Sequence, residues 1–233
     1  MAVYFGVGDK AKKVSNLYIG VGDKARKIKA GWIGVGDKAR LFYSAISSTP
    51  ILSSFGRINY GLKYYDNDDR QWHKSANTRN TAQWITSSID STTKYVTLGV
   101  KAQNNNDKEY HGIAVASAWN PVNFSGVKQI KVTYTVNSAG ADGHTADLHV
   151  KYGDNVGALT DATYTKEPAD GYTNVGSGHI TSANVGKTLT NTYNVSVSGS
   201  HYLALVLIGN PGNRSTTSAW AANITIKSVE LIG

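Results

Sequence analysis

The chain has 233 residues, 40% of them hydrophobic and 17% charged, with 24 Gly, 4 Pro, 14 Tyr and 5 Trp. Aromatic content of this kind with so little charge excludes a disordered chain, and the absence of Cys excludes a disulfide scaffold, thiol catalysis and thiolate metal sites. The net charge of +8 is concentrated: residues 1–43 carry 9 basic and 3 acidic side chains, the remainder 15 and 13. Such a segment can meet phosphate polymers or anionic envelopes. It can equally be a solvated sheet face, or a row of charges that protects strand edges from pairing.

No apolar run approaches the 18 residues of a membrane-spanning helix. The start, MAVYFGVGDKAKK, lacks the order of a secretion signal, so synthesis in a cytoplasm is expected. The first segment then repeats itself, as VYFGVGDKAKKV (3–14), LYIGVGDKARKI (17–28) and GWIGVGDKARLF (31–42). A 14-residue period is too short for helical repeats and suits one β-hairpin per repeat. In the second copy, Gly22-Asp23 with Gly first is a two-residue type II′ connection. That turn sets Val21 opposite Lys24, Gly20 opposite Ala25 and Tyr18 opposite Lys27. Isolated hairpins are marginal in water. Residues 1–43 are therefore expected to bury Tyr18, Ile19, Val21, Trp32, Ile33 and Val35 against other copies of the chain or a larger assembly. The spacing Gly6-Val7-Gly8-Asp9-Lys10 does not make a phosphate-binding loop. Nucleic acid is not an expected partner. Residues 44–55, small, polar and Pro-containing, read as a linker or a loosely held strand.

From residue 56 to 233 the pattern is period two. Ile130, Val132, Tyr134 and Val136 alternate with polar residues, as do Leu148, Val150 and Tyr152, and Val96, Leu98 and Val100. Tyr202–Ile208 is apolar on both faces, as for a central strand covered on both sides. Ile224 and Ile226 come into phase with Val229 and Leu231 only if Lys227-Ser228 holds a bulge. With turn-rich pieces between these runs, the fold class is all-β, with hairpin repeats followed by a β-sandwich of jelly-roll type.

Candidate chemistry follows from residue types. Saccharide recognition needs flat aromatic faces beside amides or carboxylates. Tyr64, Tyr65, Trp72 and His73 supply them within one polar stretch, and Trp119, before Asn120-Pro121, supplies another at a strand end. Trp84 and Trp220 are further aromatics, and core packing is the plainer account of both. Asp66 and Asp68 are candidate Ca²⁺ ligands, against the plain account of a solvated Asx turn. No other cofactor is expected. A glycan hydrolase would need paired carboxylates, for which Asp68, Glu109, Asp154 and Glu167 are available. No motif unites them, and no Ser sits in a nucleophile elbow, so the chain is read as a non-enzyme.

Two stretches resemble known families. Gly112–Ala116 with Asn120–Val132, and the closing Ile224–Ile232, resemble jelly rolls of the carbohydrate-binding-module type. The triple YIGVGDKAR repeat is similar to segments in structural proteins of phages and prophages of Gram-positive bacteria. Together these resemblances imply a virion accessory protein of a tail, baseplate or capsid fibre. Its repeats would join other virion proteins, with a homo-oligomer, preferably a trimer, as the assembly. Its sandwich would bind host cell-wall polysaccharide as a receptor-binding adhesion module. A virion-associated glycan hydrolase and a decoration protein without a ligand are the alternatives. No membrane partner is implied.

Overall fold

A computed structural model of the chain describes residues 4–7, 10–13, 18–21, 24–27, 30–35, 38–44, 48–68, 71–74, 84–105, 107–155, 171–212 and 218–233. The chain divides into two compact units, Met1–Ser48 and Thr49–Ile232. Among the described residues no helix is long and apolar enough to cross a membrane.

The first unit holds three two-stranded antiparallel sheets. They are β1 (Tyr4–Val7) with β2 (Lys10–Lys13), β3 (Tyr18–Val21) with β4 (Lys24–Lys27), and β5 (Ala30–Val35) with β6 (Lys38–Ser44). The register repeats with the sequence: Gly6 pairs with Ala11, Gly20 with Ala25 and Gly34 with Ala39. In the second hairpin Val21 pairs with Lys24 and Tyr18 with Lys27, as the two-residue connection requires. The type of that turn, at Gly22-Asp23, lies outside the described residues. The third hairpin is longer and shifts register between Gly31 and Trp32, because Gly31 pairs with Tyr43 and Trp32 with Leu41. Of the expected anchor residues, Tyr18, Ile19 and Val21 lie on β3, and Trp32, Ile33 and Val35 on β5. Their side chains lie outside the described residues.

The second unit is a jelly-roll-like sandwich. Its strands are β7 (Ser48–Pro50), β8 (Phe55–Asp66), β9 (Gln71–Lys74), β10 (Ile85–Ile89), β11 (Val96–Asn104), β12 (Lys108–Ala118), β13 (Val122–Asn123), β14 (Gln129–Ala139), β15 (Thr145–Gly153), β16 (Thr173–Ile180), β17 (Thr188–Asn194), β18 (Ser200–Asn210) and β19 (Ala219–Ile232). One layer runs β9-β8-β12-β18-β15-β16, the other β10-β11-β19-β14-β17. They are continuous where Ala102–Asn104 of β11 pairs with Glu109–His111 of β12. β7 pairs with β19 and β13 with β18.

The core lies between the layers. Ile130, Val132, Tyr134 and Val136 are wholly buried from β14, and Leu203, Leu205 and Leu207 from β18. Burying each such side chain is worth roughly 1.5–3 kcal/mol. Thr133 and Thr135, on the other face of β14, bond Thr190 and Thr188 at 3.1 and 2.8 Å. β18 is covered on both faces, because Ala204, Val206 and Ile208 join Ile113, Val115 and Tyr172 in a second apolar cluster. The bulge expected near Lys227 is present: Ser228 pairs with Thr133 and Ile226 with Tyr134, leaving Lys227 as the extra residue.

One sequence boundary moves. Within the stretch read as a linker (44–55), Ser44 pairs with Ala30, and Ser48–Pro50 is a strand of the sandwich. Ile51, Leu52 and Phe55 are buried in the core, and the Ile51 N–H donates to the Val229 carbonyl at 2.8 Å. Three apolar side chains among many serines are enough to seat this segment, and a composition count hides them.

Candidate functional site

Within the polar stretch Tyr64–His73, β8 and β9 pair as antiparallel strands. Tyr64 pairs with His73 and Tyr65 with Trp72. The half-buried Tyr64 and His73 rings stack with centroids 5.1 Å apart and planes at 18°. Tyr110 lies 5.4 Å from Tyr64, and the buried Trp84 lies 5.6 Å from Tyr110. Lys108 Nζ sits 4.7 Å from the centre of the Tyr64 ring. Three neighbours thus pack on the Tyr64 ring at once, tying it into the edge of the core. The side chains of Tyr65 and Trp72 lie outside the described residues.

Asp66 closes this end of β8. One oxygen accepts the Asp68 N–H at 3.1 Å and the other meets Lys108 Nζ at 3.2 Å. The Asp68 N–H, followed by Lys108, holds the Asp66 carboxyl below its ordinary range, and Asp66 in turn raises Lys108. The pair of candidate Ca²⁺ ligands therefore forms an Asx turn with an ammonium against it. Among the described residues no group of three acidic or histidine side chains converges as a metal site would need.

Trp119 stands at the other end of β8. Tyr64 pairs with Tyr110, whereas Phe55 pairs with Ala118, the residue before Trp119. At about 3.3 Å per residue the nine intervening steps span roughly 30 Å, so Tyr64 and Trp119 belong to separate places. Trp119 is 56% exposed, one of three large apolar side chains open to this degree among the described residues. It is nonetheless held. Its main-chain N–H donates to the Ser54 carbonyl at 2.8 Å, and its ring runs along Gly56, where a β-carbon would lie 3.4 Å from Cε3. The Arg57 guanidinium packs over the indole at 4.7 Å from the centroid and reaches the half-buried Tyr202 ring at 5.8 Å. Contacts of this type are worth roughly 0.5–2 kcal/mol.

The surroundings of Trp119 were not singled out in the sequence. Tyr202 opens the apolar run of β18 and pairs with Gly153, against which the Tyr172 ring packs. The Tyr172 hydroxyl donates to the Asn155 carbonyl at 3.0 Å. Burial, with Tyr202 and Asp154 beside it, pushes the Tyr172 phenol up to about 12, and Arg57 opposes the shift. Asp154 meets His201 Nδ1 at 2.5 Å, while His201 Nε2 faces the Ser198 carbonyl at 3.0 Å. Both ring nitrogens face acceptors, which favours the imidazolium. The Ser198 carbonyl first and Asp154 next raise the His201 pKa against the cost of burial. The ring is wedged edge-on between Phe124 at 5.8 Å and Tyr152 at 5.3 Å.

The remaining tryptophans of the sandwich serve packing. Trp84 is buried in the core, and the half-buried Trp220 carries Lys101 Nζ at 5.2 Å from its ring. Of the candidate carboxylates, Asp154 is engaged by His201, Glu109 pairs in register with Tyr65, and Glu167 lies outside the described residues.

No protein-family model matches the chain. No curated protein matches it either. Among solved structures it is similar to a family 11 carbohydrate-binding module from Clostridium thermocellum in complex with a β-1,3-1,4-mixed-linked tetrasaccharide, at 11% identity and a TM-score of 0.37, over 82% of this chain and 98% of that one. A family 29 carbohydrate-binding module from Piromyces equi is similar at 10% identity and a TM-score of 0.36, over 81% and 91%. The K1 adhesin domain of Lys-gingipain from Porphyromonas gingivalis W83 is similar at 11% identity and a TM-score of 0.36, over 81% and 98%. All three likenesses are remote.

Proposed function

We propose that residues 49–232 form a non-enzymatic saccharide-binding module whose platform is Trp119. The observation that carries this reading is a tryptophan 56% exposed to solvent whose indole is nonetheless packed along Gly56 and under Arg57. An open indole is the surface on which the apolar face of a pyranose stacks. Fixing the ring beforehand removes the ordering cost that weakens binding to a mobile side chain. The Tyr202 ring lies beside Arg57 at the same place, and Asn120, next in the chain after Trp119, is exposed. A single shallow platform binds weakly, so useful adhesion needs many copies acting together. Residues 1–43 are the candidate for that role. The resemblance read in their sequence to structural proteins of phages of Gram-positive bacteria is the ground on which we place the chain on a virion, with the hairpins as anchor and host cell-wall polysaccharide as receptor.

The test is retention of the full chain on immobilised Gram-positive cell-wall polysaccharide, for wild type and Trp119→Ala. Trp119 is largely exposed, so the variant should fold, as an unchanged melting temperature would confirm. A tenfold or greater loss of retention is expected. Equal retention of the two folded proteins would exclude Trp119 as the platform.

A further inference from the structure

Arg57 is the least satisfied charged group beside the Trp119 platform. It is half-buried, and among the described residues its side chain makes no hydrogen bond or ion pair, only its contacts with the Trp119 and Tyr202 rings. A guanidinium carries five N–H donors in a rigid planar fork and no acceptor. None of its nitrogens is buried without a partner, so the fork is open to solvent and to a ligand that supplies two acceptors. The nearby carboxylate does not: Asp154 is engaged by His201 at 2.5 Å, and both nitrogens of that ring face oxygens. The nearby Tyr172 hydroxyl donates to the Asn155 carbonyl at 3.0 Å and makes no hydrogen bond with Arg57.

Resting on the reading of Trp119 as a saccharide platform, we propose that this site selects an acidic saccharide, a uronic-acid residue whose carboxylate is taken bidentate by Arg57 while its ring lies on Trp119. The distances suit that ligand. A uronate carries its carboxylate directly on the pyranose ring, so ring and charge are immediate neighbours. Here the guanidinium carbon and the indole centre are also neighbours, 4.7 Å apart. The planar fork matches a planar carboxylate with two parallel N–H···O bonds, and charge-assisted pairs of this kind are roughly twice as strong as neutral hydrogen bonds. A neutral hexose offers the same stacking face but only a hydroxymethyl group to the fork.

The experiment is calorimetric titration of the full chain with a panel of oligouronates (glucuronate, galacturonate and mannuronate) and their carboxyl-reduced neutral counterparts. At least one oligouronate should bind tenfold or more tightly than its neutral counterpart. Arg57→Met, which keeps an apolar stem against Trp119, should abolish the preference. Arg57→Lys, which keeps charge without the fork, should retain only part of it. Melting curves show that each variant is folded. Equal binding of acid and neutral forms, or a preference that survives Arg57→Met, overturns the proposal and leaves the platform standing. Binding of no uronate, with Trp119-dependent retention on cell-wall polysaccharide still seen, likewise overturns the acidic ligand alone. Loss of Trp119 dependence as well overturns both.

Discussion

His111 offers the sharpest test of how the sandwich is held together. It lies on β12 between Lys63 of β8 and Ala102 of β11, and it is buried. Burial first, then the Lys63 charge, lowers its pKa from the ordinary 6.5 to about 4, against the favourable pull of the Gly209 backbone and the Asn210 side chain. Between these values the unfolded chain binds a proton that the folded one refuses, so the group costs stability as pH falls below 6.5, and the cost levels off below about 4. At roughly 1.4 kcal/mol per pKa unit, the full penalty is about 3 kcal/mol, and about 2 kcal/mol is already lost at pH 5. The assay is urea unfolding of wild type and His111→Gln at pH 7.5 and pH 5. Carboxylates, and the other buried histidines His144 and His149, titrate in both proteins and cancel in the difference. Wild type should lose about 2 kcal/mol more than the variant on acidification. Parallel losses in the two proteins would refute the account of His111 as a neutral buried imidazole.

Two glycines of different kinds make a paired prediction. A β-carbon at Gly112 would sit 2.7 Å from the Lys101 carbonyl oxygen and 3.2 Å from that of Trp84. Both are main-chain atoms that cannot retreat, so Gly112→Ala should cost about 2–3 kcal/mol. Gly126 has open space around it but a φ of +78°, and Gly126→Ala should cost only about 1 kcal/mol through backbone strain. A larger drop in melting temperature for Gly126→Ala would show that close approach at Gly112 is not the controlling feature. At His201, whose folded pKa is raised, the stabilising contribution is complete below 6.5 and is lost as pH rises through the raised value. Its imidazole resonances should titrate with a midpoint above the ordinary histidine range, and Asp154→Asn should lower that midpoint. An unmoved midpoint in the variant would refute the pairing.

The fold was legible where one residue type decides one position. In β14 every second side chain is apolar and buried, so the period-two pattern is sufficient. In β19 the phase break between Ile226 and Val229 can be accommodated only by an extra residue, and Lys227 is that residue. In the first unit a two-residue connection leaves one register open to each hairpin. The same method overlooked β8. Its alternating set, Ile58, Tyr60, Leu62 and Tyr64, leans on tyrosines, and Gly56 and Gly61 interrupt the propensity that marks a strand. With β8 unrecognised, the pairing of Tyr64, Tyr65 and Asp66 with β9 could not be read from that polar stretch.

That omission explains why only half of the candidate site could be read from the sequence. Trp119 announces itself, since a large aromatic ahead of Asn120-Pro121 at the close of an apolar strand has little room to be core. Arg57 announces nothing: a lone arginine between Gly56 and Ile58 is an ordinary surface residue in any one-dimensional reading. Its importance arises from the pairing of Phe55 with Ala118, which brings Gly56 and Arg57 beside the indole. Gly56 lets the ring lie close to the strand, and among the described residues the Arg57 side chain then contacts only the π-faces of Trp119 and Tyr202. A ring with an open guanidinium packed on it is a different object from an exposed ring alone. It favours a ligand that brings a sugar face and a negative charge together, and replacing either Trp119 or Arg57 should remove a different half of that preference.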